Sequence, residues 1–224
     1  VMLKLSPMLD WHKAIADLKG TVDEVHIVSV GGECKELLLV LAGKVSVSSV
    51  DSGSLENGVR VYCVDIMPKA EADGEYKRSE FCYTIGGAAD NIPTPNSLNS
   101  QLSTLNSQFL FEPNASIMKA GCFAELSQAY GVEAIGPNSH LFVSSGRVEQ
   151  FPGREFAIEA VCTLNKRQLK QTLGTLKQAN IAVRNFPMSV AELRKRLKLR
   201  DGGDTYIFAT TTREGEHVLI ICRK

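Results

Sequence analysis

The sequence predicts an α+β protein whose opening segment is an α/β remnant. Residues 1–42 read as strand, helix, strand, strand. A helical stretch over residues 114–130 is followed by two short strands. Residues 155–224 alternate as β-α-β-α-β-β. Segregated strands and helices of this kind build sheets with helices on one face.

Residues 1–7 form an apolar run broken by Lys4, which reads as a buried strand of the parallel kind, ended by Pro7 because proline cannot donate to a ladder. Asp10 stands where an N-cap belongs, and Trp11, Ile15 and Leu18 mark one face of a helix that Gly20 closes. Residues 24–30 and 35–42 read as strands joined across Gly31-Gly32-Glu33-Cys34, an antiparallel hairpin. A strand–helix–hairpin unit of about forty residues is too small to fold alone. It is expected to finish a larger doubly wound sheet lying upstream.

Between residues 43 and 57 the composition shifts to Ser, Val, Gly and Asp, which reads as a boundary or an edge hairpin. Residues 59–67 and 79–85 are two further strands around a charged loop at 68–78, and residues 86–108 read as a long surface loop or linker. Asn114 then caps a helix whose stripe is Ile117, Phe123, Leu126 and Tyr130, with Gly121 weakening it. Strands at 132–135 and 140–144 surround Gly136-Pro137-Asn138, and a ferredoxin-like arrangement is expected here.

The final unit follows Phe151-Pro152-Gly153. Residues 156–162 alternate as a strand. Asn165 caps a helix with Gln168 three residues on, and Leu169, Leu173 and Leu176 form its buried face. After a strand at 181–184, Ser189 and Glu192 have capping-box spacing, and Met188 and Leu193 occupy the positions of a hydrophobic staple. Val190, Leu193 and Leu197 are expected inward. Strands at 205–211 and 217–223 complete the unit.

Charge is distributed unevenly along the chain. The 224 residues carry no net charge, yet residues 166–200 hold ten Lys and Arg against one acid, Glu192. Residues 1–165 carry twelve positive and twenty negative side chains. Ordinary surfaces mix both signs, so an unbalanced basic stretch points to a polyanionic partner; a solvated helix face or docking on the chain's own acidic part are the other readings. Asp201-Gly202-Gly203-Asp204, just beyond it, either turns the chain or lets backbone approach a ligand. Phe186 and Tyr206 are expected to pack inward, which leaves backbone phosphates rather than bases as the contact.

Six cysteines, at 34, 63, 82, 122, 162 and 222, are nowhere closer than nineteen residues, which fits neither a zinc knuckle nor a redox pair. They read as small core residues, and His26 and His217 as sheet-face residues. No metal site is expected. No apolar run approaches the length of a membrane span and the N-terminus lacks a signal-peptide layout, so no membrane association and a cytoplasmic location are expected.

Three runs resemble a known family: LKLSPMLDWHKA with EVHIVSVGGECKELLLVL, then FLFEPNASIMKAGCFAELSQAYG, then ANIAVRNFPMSVAELRKRLKLRDGGDTYIFATT. They are similar to consecutive parts of the bacterial class I SAM-dependent methyltransferases that carry a THUMP-like domain. The resemblance implies that residues 1–45 end a Rossmann-like methyltransferase domain, 56–150 form a ferredoxin-like domain, and 155–224 form a THUMP-like domain. It further implies S-adenosylmethionine as cofactor of the full-length parent, the parent's own methyltransferase domain as a neighbour, and tRNA or rRNA as partner. Arg184, Arg194, Lys195, Arg196, Lys198 and Arg200 are the RNA-binding residues expected from the basic stretch.

The family's glycine-rich cofactor loop follows a strand and opens a helix, and no Gly-x-Gly occurs in this sequence. No cofactor-binding or catalytic residue is therefore assigned. Ser6-Pro7-Met8-Leu9-Asp10 lies after what would be the fifth strand and is not a catalytic motif. The expected function is substrate recognition for an RNA methyltransferase, with a non-catalytic protein–protein assembly module as the alternative.

Overall fold

In the computed structural model, residues 1–42, 58–68, 76–85 and 107–224 are described. The expected edge hairpin at 43–57 and linker at 86–108 fall almost wholly outside them. The chain divides into two compact units. The first holds residues 1–98 and 114–122, the second 99–113 and 123–224.

The first unit is built on a five-stranded sheet. Its strands are β1 (Met2–Leu5), β2 (Val22–Val30), β3 (Glu33–Leu41), β4 (Val59–Pro68) and β5 (Tyr76–Ile85), in the order β1-β3-β2-β4-β5. β3 is antiparallel to both β1 and β2, β2 is parallel to β4, and β4 is antiparallel to β5. The alternation of β2, β3 and β4 places Val25, Ile27, Leu37, Leu39, Val61 and Cys63 on one face, all fully buried. Helix α2 (Ala115–Ala120) crosses β2, β3 and β4. Helix α1 (Trp11–Asp17) is capped by the Asp10 carboxylate, as its position before the apolar face requires. Trp11, buried in α1, donates its indole N–H to the Lys119 carbonyl of α2 at 3.3 Å. On the opposite face His26 stacks on Tyr62 with ring centres 4.6 Å apart.

β1 pairs antiparallel with β3, its one neighbour among the described residues. Two expectations change here. The border expected between residues 45 and 56 does not separate two sheets, because β4 and β5 extend the sheet begun by β1–β3. The helix expected across 114–130 is two helices, α2 and α3 (Phe123–Tyr130). Gly121 takes a left-handed conformation (φ 74°) that terminates α2 by the common glycine C-cap geometry.

The second unit is a seven-stranded sheet, order β10-β11-β12-β9-β6-β8-β7. The strands are β6 (Phe109–Pro113), β7 (Glu133–Ala134), β8 (Phe142–Ser144), β9 (Gly153–Thr163), β10 (Asn180–Arg184), β11 (Thr205–Thr211) and β12 (His217–Arg223). Only β10 and β11 are parallel, as the helix between them allows. The long strand β9 pairs with β6 through its first half and β12 through its second, and a bulge at Ile221/Cys222 lies where the partners change. Bulges bend strands, and the sheet rolls until its two ends meet. The Arg213 N–H donates to the Ile135 carbonyl at 3.0 Å, and Asn185 Nδ2 to the Pro137 carbonyl at 2.8 Å.

Period-two alternation gives this sheet two apolar faces. Phe208, Val218, Ile220 and Cys222 join Leu110, Leu141 and Phe156 in one core. Ile207, Ala209, Leu219 and Ile221 face the other way, under Leu173 of helix α4 (Lys166–Leu173) and Leu193 of helix α5 (Val190–Leu197). Four of the six cysteines are buried as expected. Cys34 is half-buried and Cys82 exposed, because residues of β5 alternate about the buried Phe81. Among the described residues no helix is long and apolar enough to cross a membrane, and no group of three His, Cys, Asp or Glu could hold a metal ion.

Candidate nucleic-acid interface

Helices α4 and α5 lie in one layer because their apolar stripes share a core. Leu169 and Leu173 of α4 and Leu193 and Leu197 of α5 belong to the same cluster on the sheet. Asn165 Oδ1 accepts from the backbone N–H of Arg167 and Gln168, which caps α4. The capping box of α5 is complete: Ser189 Oγ accepts from the Glu192 N–H, and the Glu192 carboxylate accepts from the Ser189 N–H at 2.7 Å. The bond from the Ser189 N–H and a second from the Ser189 hydroxyl, also at 2.7 Å, hold the Glu192 carboxyl below its ordinary value. Val190, expected inward, is instead 36% exposed.

With the stripes buried, the remaining faces are basic and solvent-facing. Lys166, Arg167 and Lys170 of α4 and Lys195 and Arg196 of α5 are exposed. Lys198, the C-cap of α5, is exposed in a left-handed conformation (φ 57°). Lys177 and Arg200 are also exposed, and their backbones are tied together: the Arg200 N–H donates to the Lys177 carbonyl at 3.0 Å beside a Gln178–Arg200 bridge. None of these eight cations forms a salt bridge among the described residues.

The six residues expected to bind RNA therefore divide. Lys195, Arg196, Lys198 and Arg200 are exposed at the end of α5 and just beyond it. Arg194 is 24% exposed and turned back onto the fold: Nη2 meets Asp201 Oδ1 at 2.6 Å, and Nη1 donates to the Ala179 carbonyl at 3.2 Å. Arg184, at the end of β10, reaches across the rolled sheet to the buried carboxylate of Glu112 at 2.9 Å. Both arginines hold elements in place. The α4 cations were missed as site residues, although they belong to the same basic run, because only the shared core puts the two helices side by side.

The described glycine pairs do not fit a class I cofactor loop. Gly31 and Gly32 turn the β2–β3 hairpin, and Gly202 and Gly203 lie between α5 and β11. Neither leads from a strand into a helix, as S-adenosylmethionine binding of that class requires.

Comparison with known proteins identifies two domains, the first of which includes α2 from the first unit. A family model described as ferredoxin-like domain matches residues 109–152, and one described as THUMP domain-like matches residues 153–224. The chain carries a ferredoxin-like domain followed by a THUMP-like domain. The ferredoxin-like match begins at 109, not at the expected 56, which leaves β4 and β5 to the first sheet. The THUMP-like domain contains α4, α5 and every cation of the basic face. Its first strand, β9, pairs directly with β6 of the ferredoxin-like domain, so the two domains share one sheet. Over its whole length the chain is 31% identical, with a TM-score of 0.76, to the crystal structure of a "putative methyltransferase" from Porphyromonas gingivalis W83. It spans 50% of that chain. No curated protein matches significantly.

Proposed function

We propose that this chain is the substrate-recognition portion of an S-adenosylmethionine-dependent RNA methyltransferase, in which the THUMP-like domain holds RNA by its phosphates. The observation that carries the reading is the pair of helices α4 and α5. Their apolar stripes are buried in one core, and their exposed faces carry cations without carboxylate partners among the described residues. Such a face attracts a polyanion through counterion release, with little dependence on sequence. The match to a THUMP-like domain and the likeness to the Porphyromonas gingivalis protein support the same direction. Methyl transfer and the cofactor belong to the parent enzyme, since the glycine turns here do not suit the cofactor.

Titrating the 224-residue chain against a fluorescent RNA hairpin tests the reading. Affinity should fall steeply with salt, by about three orders of magnitude between 50 and 200 mM if six phosphates are engaged. Reversing Lys195, Lys198 and Arg200 to Glu should abolish most of it and flatten the salt slope. No detectable binding at low salt, or binding indifferent to those reversals, would sink the proposal and favour a protein assembly surface.

A further inference from the structure

A groove of about 500 Å³ opens at the edge of the basic face. Its walls include Leu176, Gln178, Asp204, Tyr206 and Arg223. The place is fixed by backbone: Asn180 Nδ2 donates to the Gly203 carbonyl at 2.7 Å, and Asn180 pairs with Tyr206 across β10 and β11. Gly203 has φ 84°, and a side chain there would meet Gln178 Nε2 at 2.9 Å. Only glycine keeps the Gln178 amide where it lines the groove.

The lining is chemically mixed. Tyr206 is half-buried, its ring held against Phe156 with centres 4.9 Å apart, and it gives the groove an aromatic wall. Leu176 adds an aliphatic one. Gln178 offers a donor and an acceptor, and Asp204 offers acceptors only; both are exposed. Arg223, which is paired with Glu159, and Lys224 also line the groove, so its wall suits a nucleotide's phosphate as well as its base. An aromatic and an aliphatic side chain beside hydrogen-bonding groups suit a planar heterocycle, whose edge carries amino and imino donors. The groove is also continuous with the phosphate-binding face, because Gln178 bridges Arg200 and follows Lys177 in the chain.

We propose that this groove takes one unpaired nucleobase of the RNA whose backbone lies on α4 and α5. The inference rests on the RNA reading and narrows it: the preferred ligand is a duplex interrupted by an unpaired nucleotide. The Asp204 carboxylate accepts from an exocyclic amino group, so bases bearing one are preferred to uracil.

The experiment compares the full chain's affinity for a blunt 12-base-pair RNA duplex and for the same duplex with a single bulged cytosine, adenine or uracil. Bulged cytosine or adenine should bind about tenfold more tightly than the blunt duplex, and bulged uracil less so. Asp204→Asn, which gains a donor, should lessen the discrimination against uracil, and Gln178→Ala should reduce the advantage of every bulge. Both side chains are exposed, so neither change threatens folding; Gln178→Ala should leave blunt-duplex affinity unchanged, and Asp204→Asn, which removes a negative charge beside the basic face, should raise the affinity for every duplex alike. Equal affinity for bulged and blunt duplexes overturns the groove assignment while leaving the RNA reading intact. So does a bulge preference that survives both substitutions. Failure to bind any duplex at low salt overturns the RNA reading itself, and the groove assignment with it.

Discussion

Arg184 and Glu112 stand seventy-two residues apart in the chain and 2.9 Å apart in the fold. Three strands separate β10 from β6 in the sheet, so their ion pair exists only because the sheet rolls. Arg154 Nε also donates to Glu112, at 2.9 Å, so one carboxylate with 7% side-chain exposure serves two guanidinium groups.

Removing either arginine leaves Glu112 with one cation, and removing both leaves a buried charge alone. Arg154→Ala and Arg184→Ala should each cost about 1–3 kcal/mol, and the double variant more than their sum. Urea unfolding of the three proteins measures this, and strict additivity would refute it. If RNA lies on the exposed cations of α4 and α5, Arg184→Ala should at the same time change RNA affinity by less than about twofold, because its guanidinium is engaged by Glu112.

His140 lies in the second unit with φ 51° and stacks on Phe123. Burial first, and the Arg184 charge second, lower its pKa from the ordinary 6.5. A histidine depressed in the folded state contributes stability that is full above 6.5 and lost as pH falls through the folded value. Arg184→Ala removes one of the two causes, so the His140 titration followed by NMR should move upward toward 6.5. The acid-side loss of stability should shrink in His140→Gln. A His140 titration unmoved by Arg184→Ala would show that burial alone is responsible.

The legible parts of this chain were those governed by neighbours in sequence. Asp10, Asn114, Asn165 and Ser189 all cap the helices their spacing announced, and residues 205–211 and 217–223 are strands at the stated bounds. Pairing between distant strands was not legible. Nothing near β6 in the sequence tells that it joins β9, or that β4 lies beside β2, since such ladders depend on apolar faces meeting across long loops. The same limit applied to the site. The basic run was visible as composition, but the assignment of Arg184 to Glu112 and of Arg194 to Asp201 depends on backbone brought together by the fold. Tyr206 illustrates both sides: it packs against Phe156 as expected, yet also lines the groove.

The capping box of α5 sets how the basic face is presented. Ser189→Ala removes an acceptor for the Glu192 N–H and should cost about 1 kcal/mol. Because Glu192 is depressed below its ordinary 4.5, its contribution is present above that pH and fades as pH falls through the folded value. Wild type should therefore lose more stability between pH 6 and pH 3 than Glu192→Gln does. Equal acid-side slopes in the two proteins would count against the cap as drawn. RNA affinity at neutral pH should weaken in Ser189→Ala only modestly, as the helix frays from its acidic end and not from its basic one.

Lys198 sets stability against binding at a single position. It is the C-cap of α5, its backbone N–H bonded to the Arg194 and Lys195 carbonyls, with φ 57°. A helix C-terminus in this conformation favours glycine, because a Cβ there is strained. Lys198→Gly should stabilise the chain by about 0.5–1 kcal/mol. It should also remove one phosphate contact, lowering the salt slope of duplex binding by about one unit. Lys198→Asn, which tolerates the conformation but carries no charge, separates the two effects: it should match the loss in binding while gaining less in stability. If Lys198→Gly stabilises the fold and leaves the salt slope untouched, Lys198 does not contact phosphate, and the basic face must be redrawn around α4, Lys195 and Arg200.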